Sequence, residues 1–199
     1  MTVIVLVISF IGFFICLSVH EAAHAYMSLK LGDPTAKLEG RLSLNPLAHI
    51  DLIGTIVVPL FLIFSGLPAF GWAKPVMINP RNFSMPRRDN FLTALAGPVS
   101  NLLFGVLLGL IVRFVPLPEI VSSFLALLVS INILLAAFNL LPIPPLDGSK
   151  IWGLFLSDES YYMLERMGPF ILLAVIVFSY SSGFSIFGWV STLTNLIVG

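Results

Sequence analysis

Two histidines and a glutamate at the end of the first apolar segment form the clearest chemical motif of the sequence. His20, Glu21 and His24 follow the pattern H-E-x-x-H. On a helix, residues four apart share a face, so both imidazoles can reach one metal ion at about 2.0–2.1 Å. Glu21 is placed to take a proton from a water molecule at that ion. Two interfacial histidines with a snorkelling glutamate are the alternative, but ionisable residues within an apolar helix are costly and indicate function.

A catalytic zinc site uses three protein ligands and keeps one position open, so a third ligand must come from elsewhere in the chain. The candidate is Asp147, which follows three prolines in the stretch from Asn139 to Gly148. Prolines end a regular helix, and irregular backbone at membrane depth occurs only where it is buried in protein or lines a wet cavity. The alternative is a turn in which Asp147 caps the next segment, because Asp before Gly is also ordinary turn chemistry.

Four further polar residues are candidates for supporting roles. Asn101 is predicted to steady the helices or to bind the substrate backbone, because an amide in hydrocarbon requires a partner. Asn139, next to the proline break, is predicted to donate a hydrogen bond to the substrate or to a developing oxyanion. Asn132 shares a helix face with Asn139 and is predicted to link helices. His49 is either a further, transient metal ligand or, as is usual for a lone loop histidine, structural.

The composition of the chain indicates which kind of element positions these residues. Of its 199 residues, 58% are apolar and only 10% are charged, and the mean hydropathy is +1.03. Soluble domains carry about 25% charged residues, so the chain is expected to lie in a lipid bilayer. Its net charge of zero gives no indication of a nucleic-acid partner, and the single cysteine, Cys16, excludes a disulfide framework. Residues 1–19 lack the features of a signal peptide and are interpreted as an uncleaved membrane helix.

The apolar segments predict an all-α polytopic membrane protein with about five to six transmembrane helices. Two short runs, at residues 169–180 and 184–198, are expected to form a closing helical hairpin. Three longer runs reach the roughly 20 residues that a spanning helix needs: residues 3–29, 91–115 and 120–141.

The chain is predicted to be a single membrane-embedded domain over residues 1–199. Its catalytic core is expected at about residues 3–150 and the closing hairpin at about residues 168–198. Three glycines along the second long run predict a close-packing helix face: Gly97, Gly105 and Gly109.

The segment at residues 52–67, which is apolar, rich in β-branched residues and interrupted by Pro59, decides the membrane topology. A further crossing, a re-entrant hairpin and a pair of buried strands are the alternatives. Loops rich in Lys and Arg stay in the cytoplasm. Without a crossing here, nine basic residues are all cytoplasmic: Lys30, Lys37, Arg41, Lys74, Arg81, Arg87, Arg88, Lys150 and Arg166. A crossing would move to the far side the four that lie between this segment and the next long run, namely Lys74, Arg81, Arg87 and Arg88. A crossing would also place Asp147 about 30 Å from the histidines. A short re-entrant or β-like element is therefore predicted.

Three motifs, in this order, resemble the site-2 protease family of intramembrane metalloproteases, in particular its short prokaryotic branch without a PDZ domain. They are His20-Glu21-x-x-His24, Gly97-Pro98-x-x-Asn101 and Asn139-x-x-Pro142-x-Pro144-x-x-Asp147-Gly148. The likeness covers about residues 17–150. It implies one zinc ion held by His20, His24 and Asp147, with Glu21 as the general base. It also implies a multi-pass protein of the prokaryotic cell membrane that cleaves membrane-embedded protein substrates on the cytoplasmic side.

Two other functions use ionisable residues inside a membrane. A metal or proton transporter binds ions in passage, but transporters usually show internal repeats with paired broken helices, and the sequence contains one broken helix and no repeat. A catalytically silent relative is disfavoured by the intact Glu21. The sequence therefore predicts a zinc-dependent metalloendopeptidase that acts on peptide bonds in or near transmembrane segments of membrane proteins. Its predicted catalytic residues are Glu21 and Asn139.

Overall fold

The computed structural model describes residues 3–65, 74–182 and 188–199, and the regular structure within these ranges is helical throughout. The α-helices are α1 (Val3–Lys30), α2 (Thr35–Leu38), α3 (Val58–Phe64), α4 (Pro86–Phe114), α5 (Glu119–Asn139), α6 (Asp158–Ser182) and α7 (Trp189–Val198). Shorter elements connect them: 3-10 helices at Pro46–His49, Pro80–Asn82 and Asp147–Leu154, and a π-helical turn at Leu52–Val57.

Four of these helices, α1, α4, α5 and α6, are long and apolar enough to cross a membrane. Two apolar helical stretches in the described ranges are shorter, at Leu52–Leu62 and in α7. The prediction of an all-α polytopic membrane protein is therefore confirmed, with four long helices and two short apolar ones where five to six spans were expected. α6 begins well before residue 169. The apolar run did not include its first turns because they are polar, and Asp158 and Glu159 in the first turn suit a helix N-terminus. Residues 183–187, within the predicted hairpin, lie outside the described residues.

α4 packs against α1, α5, α7 and the 3-10 helix Asp147–Leu154, so it lies at the centre of the described fold. Glycines on α4 allow this close packing. A Cβ at Gly109 would collide with Ile197 of α7, and a Cβ at Gly105 would lie 3.2 Å from the Cβ of Asn132 on α5. The buried apolar core joins four helices: Cys16, Leu108, Leu128, Val129, Ile133 and Val190.

The Lys74 N–H donates to the His49 main-chain oxygen at 3.0 Å, so the chain positions on either side of residues 50–73 lie together. We call this segment the excursion. It begins with the π-helical turn, which Asp51 caps by accepting from the Gly54 N–H at 2.7 Å, and continues as α3. Since His49 and Lys74 meet, the chain enters and leaves the excursion at the same place, which favours the alternatives without a crossing. The strand alternative is wrong for residues 52–64, because an apolar run in lipid satisfies its backbone most simply as a helix. Residues 66 and 67 lie outside the described part.

Candidate metal centre

The metal centre is built on the C-terminal half of α1, where His20 and His24 are buried, with 3% and 6% of their surface exposed. One helical turn separates them and brings their Nε2 atoms to 3.0 Å. The imidazoles face Gly97 of α4. A Cβ at Gly97 would lie 2.6 Å from His24 Cε1 and 2.7 Å from His20 Cε1. The missing side chain at Gly97 therefore makes room for both rings.

Asp147 reaches the same point from the break that follows α5. Its Oδ2 lies 3.1 Å from His20 Nε2 and 3.3 Å from His24 Nε2. Gly148 permits the turn, since a Cβ there would lie 2.5 Å from the carbonyl carbon of Leu140. Asp147 is the first residue of its 3-10 helix, and no side chain caps that helix. The geometry therefore favours a ligand role for Asp147 over the capping alternative.

The hydrogen bonds of the two imidazoles determine which nitrogen of each ring faces the centre. His20 Nδ1 lies 2.6 Å from Asn101 Oδ1, and His24 Nδ1 lies 2.7 Å from the main-chain oxygen of Thr93. Both partner atoms accept hydrogen bonds and cannot donate them. In the neutral rings each Nδ1 therefore carries the proton, and each Nε2 presents a lone pair to the centre.

Three potential ligand atoms thus converge, namely Nε2 of His20, Nε2 of His24 and Oδ2 of Asp147. The Asp147 oxygen is buried and has no hydrogen-bond partner among the described residues. Buried lone pairs without a proton between them need a cation. Ligands about 2.0–2.1 Å from a tetrahedral zinc ion lie about 3.3 Å apart, close to the observed separations of 3.0, 3.1 and 3.3 Å. The three residues therefore fit zinc with an open fourth position.

Glu21 is held beside the histidines by a main-chain group of the segment that follows the excursion. The Val76 N–H donates to Glu21 Oε2 at 3.1 Å. This segment is fixed in turn by buried Asp33, which accepts from the Asn79 N–H at 2.8 Å and from the Asn82 amide at 2.7 Å. Burial alone would raise the pKa of Asp33, but the hydrogen bonds that its carboxylate accepts outweigh burial and lower the pKa below its ordinary value.

Asn101, predicted to steady helices or to bind substrate, is fully buried and its amide is fully engaged. Its oxygen faces His20, while its N–H groups donate to the Cys16 main-chain oxygen at 3.0 Å and to Asn132 Oδ1 at 2.8 Å. No donor is left for a substrate. These hydrogen bonds favour the orientation of His20 over a substrate contact as the role of Asn101.

The other two candidates lie apart from the three converging atoms. Asn139 is the last residue of α5 and donates to the Leu135 main-chain oxygen at 3.0 Å, so its role toward substrate or oxyanion stays a prediction. His49 is fully buried, and its Nε2 lies 2.9 Å from the Ser43 main-chain oxygen. Within the described residues, the group that could hold a metal ion does not include His49. The structural alternative for His49 is therefore favoured.

The fold and the centre define a class of protein: a polytopic α-helical membrane protein with a buried H-E-x-x-H metal centre that a distant aspartate completes. The family described as peptidase family M50 matches residues 116–182 of the chain. This family includes the site-2 proteases, so the match confirms the resemblance seen in the sequence motifs.

Several relatives align with most of the chain, and their names describe zinc metalloproteases. YwhC of Bacillus subtilis is 40% identical over 158 residues, which cover 75% of this chain and 66% of YwhC. Rip2 of Mycolicibacterium smegmatis is 31% identical over 177 residues, which cover 88% of this chain and 66% of Rip2. Rip2 of Mycobacterium tuberculosis is 30% identical over 169 residues, with 83% and 64% covered. The alignments thus span just under two thirds of each relative's length. No solved structure matches the chain.

Proposed function

We propose that the protein is a zinc-dependent endopeptidase that hydrolyses peptide bonds in or near the transmembrane segments of other membrane proteins. The observation that carries the proposal is the convergence of two histidine nitrogens and a carboxylate oxygen, with Glu21 on the same helix as both histidines. The names of the relatives, which describe zinc metalloproteases, support the same reaction class.

His20, His24 and Asp147 would hold the zinc ion. When bound, zinc supplies a Lewis acid that polarises a peptide carbonyl and lowers the pKa of water. Glu21 accepts the proton of the attacking water and delivers a proton to the leaving amine. The Val76 N–H engages Oε2 of Glu21 at 3.1 Å, which orients the carboxylate and directs proton transfer to Oε1. Asn139 donates to the oxyanion or holds the substrate strand.

A transmembrane substrate must unwind locally, because a helix engages its backbone groups in internal hydrogen bonds. Residues 52–64 are helical and offer no strand edge to such a substrate. The main chain that contacts Glu21 belongs to residues 74–79, which form no helix. We place the unwound substrate along this stretch, where main-chain pairing is the recognition mode.

The centre is proposed to face the cytoplasm of a prokaryotic cell. Lys30 at the end of α1 and Arg87 and Arg88 at the start of α4 lie at the helix ends nearest the histidines. The opposite end of α4 carries Arg113, and the connection from α4 to α5 contains no basic residue. Basic residues mark the cytoplasmic side of a membrane protein.

The test compares cleavage by the wild type and Glu21→Gln on a panel of unfolded and transmembrane substrates, with and without a chelator. The glutamine keeps an acceptor for the Val76 N–H but cannot take a proton. The variant should therefore retain zinc and lose at least about a hundredfold in cleavage rate. Glu39→Gln, the same change at an exposed position, is the matched control and should cleave normally. Equal cleavage by wild type and Glu21→Gln would refute the mechanism, and ion transport by both would indicate a transporter.

A further inference from the structure

Two fully buried asparagines on different helices form a continuous amide chain behind His20. Asn101 of α4 contacts His20 through its oxygen and donates to Asn132 Oδ1 on α5 at 2.8 Å. Asn132 in turn donates to the Leu128 main-chain oxygen at 2.9 Å and to Cys16 Sγ at 3.0 Å. The chain therefore joins α1, α4 and α5 and ends on a main-chain group whose position is fixed by its helix.

The direction of this chain matters because an amide presents an acceptor on one side and donors on the other. The proton on His20 Nδ1 requires the oxygen of Asn101. If the Asn101 amide were turned over, its N–H groups would face that proton and its oxygen would face the oxygens of Cys16 and Asn132. The Asn132 oxygen therefore fixes the Asn101 amide in the orientation that His20 needs. The Leu128 oxygen fixes Asn132 in the same manner.

We infer that Asn132 is a positioning residue for the metal centre: through Asn101 it selects the His20 tautomer whose Nε2 presents a lone pair to the metal ion. The inference rests on the metal centre and does not require that the protein cleave peptide bonds. It also explains why two amides are buried at membrane depth, where each must find a partner.

The test measures metal affinity in purified protein by competition with a chromophoric chelator, for zinc and separately for cobalt(II). Asn132→Leu should bind zinc about 10–100-fold more weakly, the range typical when groups that orient ligands are removed. Its cobalt absorption spectrum should change although all three ligands remain. Asn132→Asp keeps an acceptor oxygen for Asn101 but loses the donor to the Leu128 oxygen, so its affinity should lie between those of wild type and Asn132→Leu. Single interhelical hydrogen bonds contribute modestly to membrane-protein stability, so these variants are expected to fold.

Two further variants separate positioning from packing. Asn101→Leu should weaken metal binding as Asn132→Leu does, and the double variant should add little, because the two residues act in series. Ser130→Ala removes a part-buried interhelical contact of α5, the 3.2 Å bond to Thr194, and should leave metal affinity unchanged. Should Asn132→Leu not insert, the smaller Asn132→Ser, which cannot reach Asn101, carries the same expectation.

The inference is overturned if Asn132→Leu or Asn132→Ser lowers the unfolding temperature but leaves zinc affinity and the cobalt spectrum as in wild type. Additive losses in the double variant would also overturn it. Absence of peptidase activity in a wild-type protein that shows these metal effects would instead refute the proposed function alone.

Discussion

At the scale of single residues, the two histidine ligands are oriented by different kinds of partner. His24 donates to the main-chain oxygen of Thr93, which no side-chain substitution removes. His20 donates to the side chain of Asn101, which a substitution can remove. Asp147 Oδ2 has no hydrogen-bond partner among the described residues, so a cation is what satisfies it. The aspartate is therefore the ligand whose loss should affect metal binding most directly.

Asp147→Ala should lose zinc while the protein still folds, because apolar helices hold the bundle together. Two histidines alone lack the charge and the ligand number of a catalytic zinc site. We expect zinc affinity to fall by more than the roughly 10–100-fold typical of residues behind the ligands. Metal content after purification measures this effect, and the thermal unfolding temperature measures folding.

Asp158→Ala is the matched control, since this exposed carboxylate pairs with Arg87 at 2.6 Å away from the centre and should not affect zinc. Asp147→Asn should fall between wild type and Asp147→Ala, because its amide oxygen is a weaker ligand. Near-stoichiometric zinc in Asp147→Ala would contradict the ligand assignment.

The ligands were predictable because their residue types are rare inside apolar segments and their spacing follows the helix repeat. The groups that orient them were predictable only in part. Asn101 and Asn132 attract attention as buried amides, although the sequence does not show that they form one chain to His20. The Thr93 oxygen and the Val76 N–H are main-chain groups, which nearly every residue carries. The type of residue at these positions therefore does not indicate their roles.

At the scale of elements, the distance between α1 and α4 sets the room available to the ligands. α4 approaches α1 most closely where Gly97 faces the two imidazoles. The same helix approaches α7 through Gly109, far from the centre. These two glycines therefore permit a comparison of one substitution in two packing environments.

Gly97→Ala should reduce zinc affinity by about 10–100-fold, because the added methyl group would displace both His20 and His24. Gly109→Ala should destabilise the fold by about 1–3 kcal/mol through overpacking against Ile197 but leave zinc affinity unchanged. Chelator competition and thermal unfolding of both variants provide the measurements. Equal zinc affinities for the two variants would show that the packing at Gly97 does not constrain the ligands.

The long helices could be predicted from apolar length, but two elements could not. β-Branched residues at 52–64 suggested strands as one alternative, yet the membrane favours a helix because a helix satisfies its own backbone. The start of α6 was missed because apolar length ignores its polar first turns, including Asp158. At residues 52–64, the preference of β-branched residues for strands is weaker than the need to pair backbone groups. At the start of α6, the helix simply extends beyond its apolar residues.

At the scale of the whole molecule, two contacts distant in sequence determine the topology. The bond between Lys74 N–H and His49 oxygen closes the excursion at 3.0 Å, and Asp147 meets His20 at 3.1 Å. Between them, α4 and α5 account for one crossing in each direction. The ends of α1 and α5 that carry the centre therefore share one side of the membrane.

Cysteine labelling tests this arrangement in intact cells and inverted vesicles. Leu38→Cys, Met77→Cys and Ser157→Cys, all at exposed positions, should react with a membrane-impermeant reagent only from the cytoplasmic side. Pro116→Cys, in the connection from α4 to α5, should react only from outside. The native Cys16 is buried and should contribute little background. External labelling of Met77→Cys would show that the excursion crosses, and Asp147 could then not complete the centre.

The closure of the excursion at His49 and Lys74 also has a consequence for how the chain length can vary. Once the two ends of a loop are pinned, each doubling of its length costs only about 0.6 kcal/mol in closure entropy. Insertions and deletions between residues 50 and 73 therefore leave the positions of Val76 and Glu21 almost unaffected. We therefore expect this segment to accept changes in length while the metal centre keeps its geometry.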